Sequence, residues 1–331
     1  MKGLVYTGPN SFEIQNQPIP QIEKPTDAVV KMLHSSICGT DLHILKGHVP
    51  TVEYGRILGH EGVGTIMSLG SSVDGLFVGD TVLISCITAC GVCSPCTSGL
   101  RSHCVNGGWI LGNVIAGTQA EYVRIPHAMC SLHKLPGSIN TKACVAFSDA
   151  LPTAMECGVI NGDIKPGSTV AIIGAGPVGL SALLTARLYT PSSIVCIDVD
   201  EERLNHAKRL GADTTLNSRA PDAMETLDSM NGGRGFDSVI EAVGIPETFE
   251  LCQKLVAPGG SIANIGVHGQ TVNLYLENLW DHNITIRTRL VDTTTIPTLL
   301  RLFQSDRLTP SALFTHSKSL TPIISYSAAL S

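Results

Sequence analysis

From residue 169 onward, short apolar runs alternate with stretches of helical spacing. Thr169-Val170-Ala171-Ile172-Ile173 reads as a strand and passes into Gly174-Ala175-Gly176-Pro177-Val178-Gly179, after which the residues to about Tyr189 suit a helix. Ile194-Val195-Cys196-Ile197 is a second strand ending in Asp198, followed by a helix over 200–210 that Gly211 stops. The rhythm repeats with a helix near 221–230, a strand at Phe236-Asp237-Ser238-Val239-Ile240, a helix over 247–255, a turn at Pro258-Gly259-Gly260 and a strand over 261–266. Ile284-Thr285-Ile286 adds a last strand, and Ile296, Leu299, Leu300 and Phe303 have the spacing of a core-facing helix. Strand-helix alternation of this kind predicts an α/β unit built on a doubly wound parallel sheet.

The first 150 residues follow another pattern. Short β-branched runs such as Ala28-Val29-Val30-Lys31-Met32 and Thr81-Val82-Leu83-Ile84 sit among Gly and Pro, which predicts a β-rich domain, a partly closed barrel. With 331 residues the chain is long enough for two domains.

Composition narrows the partners. A net charge of -6 and the absence of any Lys/Arg run argue against nucleic acid or an anionic membrane. The N-terminus has no apolar segment of signal-peptide type, Gly8-Pro9 would break one, and the apolar stretch Val170 to Leu184 is too short to span a bilayer. A cytoplasmic protein is expected. In that setting eleven cysteines imply metal ligation or burial rather than disulfides.

Two places gather metal-binding chemistry. Cys38-Gly39-Thr40-Asp41-Leu42-His43 and Gly59-His60-Glu61 offer a thiolate, an imidazole and a carboxylate, the side-chain types that hold a zinc ion with a coordination position open. Cys90, Cys93, Cys96 and Cys104 form two successive C-x2-C steps and a fourth cysteine, a set that can close a tetrahedron around a structural zinc; His103 is a rival for the fourth place. Cys86, Cys130, Cys144, Cys157, Cys196 and Cys252 are scattered through apolar neighbourhoods and read as small buried hydrophobes.

The glycine motif stands in the context a dinucleotide fingerprint requires, after a strand and at the start of a helix. Gly174 makes the tight turn, Gly176 lets a pyrophosphate approach the backbone, and Gly179 packs helix on sheet. Asp198 is placed to accept hydrogen bonds from the adenosine ribose and to repel a 2′-phosphate, which favours NAD over NADP; Arg203, five residues on, could instead welcome that phosphate.

With these motifs, and with Leu279-Trp280-Asp281-His282-Asn283-Ile284-Thr285, the chain resembles the medium-chain, zinc-dependent alcohol dehydrogenases over nearly its whole length. The resemblance implies a GroES-like catalytic domain over 1–150 and 290–331, a Rossmann domain over 151–289, and a catalytic zinc in the cleft between them. It also implies two zinc ions per chain, NAD as hydride acceptor, a small alcohol or carbonyl substrate, and a homodimer or homotetramer.

By the same resemblance Cys38 and His60 are catalytic zinc ligands and Glu61 is a carboxylate that exchanges at the ion. Phe147-Ser148-Asp149-Ala150-Leu151-Pro152-Thr153 matches the branch with an aspartate as third ligand, so Asp149 takes that role, with Cys144 and Cys157 as rivals. Gly174, Gly176, Pro177, Val178, Gly179, Asp198 and Arg203 are the residues implied at the cofactor. Thr40 begins a proton relay that passes through the cofactor ribose to His43, and Trp109 matches a wall of the substrate pocket. The other histidines, His48 among them, carry no such positional signal.

Two departures stand out. Arg289 occupies a position where the family commonly has glycine, and the sequence stops at Ser331 within what the family would make its last helix, before a final strand. A polyol or amino-alcohol dehydrogenase would show the same fold and fingerprint, and a zinc- and nucleotide-binding relative without catalysis is the remaining alternative.

Overall fold

The computed structural model describes residues 1–320; the last helix expected toward Ser331 lies, over 321–331, outside the described residues. The chain divides into two compact units. The first comprises Met1–Asp149 and Asp292–Leu300, with the described residues that follow Leu313, 314–320; the second comprises Ala150–Val291 and Arg301–Leu313. Arg301–Leu313, expected with the first domain, is thus part of the second unit, where the His206 ring donates from Nε2 to the Ala312 carbonyl at 2.8 Å.

The first unit is β-rich. β1 (Lys2–Gly8) and β2 (Ser11–Asn16) form an antiparallel hairpin. An antiparallel sheet of order β6-β3-β4-β5-β7 joins β3 (Ala28–Ser35), β4 (Gly62–Leu69), β5 (Thr81–Ile84), β6 (Tyr122–Ile125) and β7 (Leu132–Lys134). Its core is aliphatic, including Val30, Ile66, Val82, Ile84, Val123 and Ile125. The register positions the chemistry: Ser35, the last residue of β3, pairs with Gly62, the first of β4. The segment leaving β3, which carries Cys38, and the segment entering β4, which carries His60 and Glu61, therefore emerge at the same end of the sheet.

That end is fixed by backbone. Gly59 has φ 92°, a left-handed conformation that disfavours any side chain; Thr118 and Gln119 close off the space a Cβ would take, and Gly112 and Gly117 approach its backbone. A Cβ on Gly112 would lie 2.7 Å from the Gly59 carbonyl oxygen, and one on Gly117 would overlap the same atom. Thr118 N–H donates to Gly59 O at 3.0 Å, Gln119 N–H to Leu58 O at 2.9 Å, and Leu58 N–H to Leu4 O at 3.0 Å.

The second unit is a six-stranded, all-parallel sheet of order β10-β9-β8-β11-β12-β13, built from β8 (Thr169–Ile173), β9 (Ser193–Asp198), β10 (Thr214–Asn217), β11 (Phe236–Glu241), β12 (Val256–Asn264) and β13 (Thr285–Thr288). Helices Pro177–Ala186, Glu201–Leu210, Ala223–Ser229 and Pro246–Leu255 connect the strands. The Glu201 helix begins at Asp200, whose carboxylate accepts from Glu202 and Arg203 N–H, and ends at Gly211 with φ 99°, so both local stop signals are used. The turn expected at Pro258-Gly259-Gly260 is absorbed into β12. Gly259 takes φ 78° and the register against β11 shifts between Phe236 and Ser238, so the strand bends without leaving the sheet.

The helical run Thr141–Ile160 is apolar and long enough to cross a membrane by length and composition alone, but 78% of its apolar window is buried inside the protein, as in a core helix.

Candidate active site

Cys38 caps the start of the helix Gly39–Leu45 from an extended conformation, φ -94° and ψ 159°. Three residues on, Asp41 reaches back and its Oδ2 accepts the Cys38 N–H at 2.9 Å, the reciprocal arm of a capping box. Asp41 is buried, and the same oxygen accepts from Gln119 Nε2 at 2.9 Å. Its other oxygen faces His60 Nδ1 at 3.8 Å, and neither atom has a hydrogen-bond partner. Asp41 thereby favours the proton on His60 Nδ1 and leaves Nε2 turned toward Asp149 Oδ2, 3.2 Å away.

Asp149 Oδ2 is also 3.7 Å from Cys38 Sγ. Its segment is tied to β4 by Ser148, whose Oγ accepts the Gly62 N–H at 3.0 Å while its carbonyl accepts the Cys86 N–H at 3.1 Å. Glu61 is buried and held at both ends: its carboxylate accepts from Ser36 Oγ, and its carbonyl accepts from Thr118 Oγ1 at 2.8 Å and Ser35 Oγ at 2.9 Å. Ligand atoms of Cys38, His60, Glu61 and Asp149 all lie within 4.8 Å of one another. Cys144 and Cys157 are not in this group. The Trp109 ring stands edge-on to His60, centroids 6.3 Å apart, with its indole N–H buried and without a hydrogen-bond partner. Thr40 Oγ1 is 3.8 Å from Cys38 Sγ.

The electrostatics of this cluster are adverse unless a cation is supplied. Withdrawal from water and then the Glu61 charge push the Cys38 thiol up to about 11. Burial and then the Asp149 charge push Glu61 up to about 7. Burial opposes a charge on His60, yet its hydrogen bonds to Asp149 and Cys38 hold it well above the usual imidazole range. Sulfur, imidazole nitrogen and two carboxylates crowded together form a donor set that fits zinc, which would relieve the repulsion among them.

The four cysteines of the second cluster also bring their sulfurs within 4.8 Å of one another. Cys93 and Cys104 sulfurs are 3.9 Å apart, and Cys90 N–H donates to Cys104 Sγ at 3.2 Å. His103, the rival ligand, turns its ring to Ser102 Oγ at 2.9 Å instead. Backbone N–H groups of Val92 and Cys93 bring Cys90 down to about 6, and that of Cys96 lowers Cys93, while burial pushes Cys96 up to about 12 and raises Cys104. The interior of this lobe is Ala89, Cys96 and Cys104, with Cys90, Cys93 and Cys130 packed against them. Cys130, read from sequence as a scattered buried residue, is half-buried beside the lobe. Asp292 anchors the lobe by accepting from Ser102 N–H at 2.8 Å and Ser102 Oγ at 2.7 Å.

In the second unit, β8 runs into Gly174, which has φ 100° and donates its N–H to Ile197 O at 2.7 Å; the helix starts at Pro177. A Cβ on Gly179 would overlap the Gly174 carbonyl oxygen, whereas one on Gly176 would meet nothing within 4 Å, leaving that side of the turn open. The strand order reverses between β8 and β11, and the turn lies at this switch point, beyond the carboxyl ends of the strands where ligands bind in such sheets. Asp198 Oδ2 accepts the Ala175 N–H at 2.6 Å, and its Oδ1 accepts from Val199 N–H at 2.7 Å and Asp200 N–H at 3.0 Å. Arg203 is exposed on the next helix, and no ion pair joins it to Asp198 among the described residues.

Asp41 and Ser148 stand in the quoted motifs without a part assigned to them, and Gln119 and Ser36 carry no motif at all. The capping-box spacing of Cys38 and Asp41 is the one local signal that marks any of them.

Residues 24–137 match the alcohol dehydrogenase GroES-like domain and residues 177–305 the zinc-binding dehydrogenase domain. An alcohol dehydrogenase of Cupriavidus necator is 35% identical, over 98% of this chain and 93% of that protein. Among solved structures, zinc dependent alcohol dehydrogenase 2 from Streptococcus pneumonia, in its apo form, superposes with a TM-score of 0.95 at 44% identity, covering 100% of this chain and 94% of that one. The short chain alcohol dehydrogenase of E. coli CFT073, complexed with cofactor NADH, gives 0.90 at 25% identity over 100% and 95%. The chain belongs to the zinc-type alcohol dehydrogenases of the medium-chain dehydrogenase/reductase family.

Proposed function

We propose that this protein catalyses reversible oxidation of a small primary or secondary alcohol to an aldehyde or ketone with NAD as hydride acceptor. The observation that carries the reading is the convergence of Cys38, His60, Glu61 and Asp149 on one point in a chain of this family. Zinc bound there supplies Lewis acidity toward an alcohol oxygen, and the nicotinamide cofactor supplies the hydride acceptor. Cys38, His60 and Asp149 would hold the ion, with Glu61 as a further carboxylate within reach of it, and Asp41 would orient His60. Thr40, beside Cys38, takes the hydroxyl proton toward His43. The four-cysteine lobe holds a second, structural zinc.

The test is reduction of NAD and NADP by a panel of primary, secondary and polyhydric alcohols, with and without a zinc chelator, on protein of measured metal content. Chelator-sensitive turnover with one alcohol class is expected. A zinc-replete protein inert toward the whole panel would sink the reading.

NAD is favoured by Asp198, and the E. coli relative complexed with NADH is in keeping with it. Asp198→Gly is expected to raise the NADP-to-NAD ratio of kcat/KM about ten- to a hundredfold, because a like-charge contact costs roughly 1–3 kcal/mol. Since Asp198 also caps three backbone N–H groups, absolute rates will fall as well. The ratio is therefore the readout, and an unchanged ratio would mean that Asp198 does not read the ribose.

A further inference from the structure

His43 and His48 meet on the surface of the first unit. His48 N–H donates to the His43 carbonyl at 2.9 Å, which curls the end of the helix Gly39–Leu45 back on itself and stacks the rings at 5.6 Å between centroids, tilted by 43°. Their Nδ1 atoms are 3.3 Å apart. That contact is a hydrogen bond when one Nδ1 carries a proton and the other does not, as when one neutral ring is protonated on Nδ1 and the other on Nε2, so the pair is a ready path for a proton.

The surroundings give the path a direction. His43 is half-buried and His48 exposed. Withdrawal from water, then the His48 and Lys46 charges, lower the basicity of His43. Pro9 and Asn10, packed against this turn through Gly47 and the Leu45 carbonyl, bring no charge to it. On its inner side His43 is one helical turn from Thr40, on the same helix face.

We propose that His48 is the outer station of a proton exit, receiving across the paired Nδ1 atoms the proton that alcohol oxidation delivers to His43 and releasing it to bulk water. This rests on the reading of Thr40 and His43 as the inner part of the path. The steps balance: one proton arrives at His43 Nε2, the Nδ1 proton of His43 passes to His48 Nδ1, and the Nε2 proton of His48 leaves to water. Each ring ends as the opposite tautomer and resets by exchange with solvent. No oxidant or reductant is consumed.

The experiment compares wild type, His43→Gln and His48→Gln with the alcohol that turns over best in the panel. Proton release in the first turnover is followed with a pH indicator, kcat is measured at low and high HEPES concentration, and NADH affinity and melting temperature are measured alongside. His48→Gln is expected to slow proton release about tenfold in dilute buffer and to recover as HEPES rises, with NADH affinity and melting unchanged. Wild-type proton release in His48→Gln beside a slowed His43→Gln overturns the proposal and leaves His43 in place. A slowed His48→Gln that buffer does not restore also overturns it, since the effect is then structural. Wild-type release in both variants removes the Thr40–His43 path and the proposal with it.

Discussion

Cys38→Ser is expected to leave a folded, nucleotide-binding protein whose alcohol oxidation falls at least about a thousandfold, the equivalent of roughly 4 kcal/mol of lost Lewis-acid stabilisation. The fold should survive because the metal-free thiol, pushed up to about 11, is uncharged at neutral pH, and a hydroxyl of similar shape replaces it without adding charge. The ion should not survive. A serine hydroxyl stays protonated where a thiolate would bind, which leaves His60 and two carboxylates, a harder and more weakly binding set. Metal analysis should find about one zinc per chain instead of about two, with NADH affinity close to wild type. Turnover at the wild-type rate would remove Cys38 from the site.

The second large effect is expected at the cysteine lobe. Cys104→Ser should lower zinc content by one and destabilise the protein by roughly 3 kcal/mol or more, a drop of about 4 °C or more in melting temperature for a chain of this length. The reason is how little else holds the lobe. Val92, Val105 and Leu100 are 80%, 72% and 47% exposed, and the interior is mostly sulfur. Metal-binding energy therefore stands in for apolar burial. Cys104 also accepts the Cys90 N–H, so its loss frees a backbone donor as well as a ligand site. Normal metal content with an unchanged melt would rule out the structural assignment.

What could be read in the chain, and what could not, follows the range of the interactions. Five strands of the parallel sheet were legible as short apolar runs, most of them set off by a helix with its own start or stop, as Asp200 and Gly211 illustrate; β10, Thr214–Asn217, was missed because an edge strand of mostly polar residues carries no apolar run. The Pro258-Gly259-Gly260 turn was misplaced because local chemistry shows that the backbone must bend but not that both flanks remain paired with β11. Cys38, His60, Glu61 and the four lobe cysteines stood out as residue types with telling spacing, whereas Asp149 came only through the family resemblance. Their supports did not: Asp41 depends on Gln119, 78 positions away, and Asp149 is placed by a serine that bonds 86 positions back, to Gly62. His48 was discounted for the same reason, since its significance is a distance to His43 that spacing alone does not state.

The junction where Gly59 is pressed against Gly112 and Gly117 bears on how such a protein diversifies. At Gly59 the strand entry that carries His60 is clamped by main-chain hydrogen bonds and close backbone approach, and at Glu61 and Gly62 by the short hydroxyls of Ser35, Ser36, Thr118 and Ser148, so no large side chain sets the course of the backbone there. Trp109 and its apolar neighbours Leu45 and Val49 pack nearby without being part of that clamp. Substitutions at Trp109, Leu45 or Val49 can therefore reshape their surroundings with little effect on where the His60 backbone sits. Gly59, Gly112 and Gly117 are positions where that freedom ends, since a Cβ at any of them would run into its neighbours.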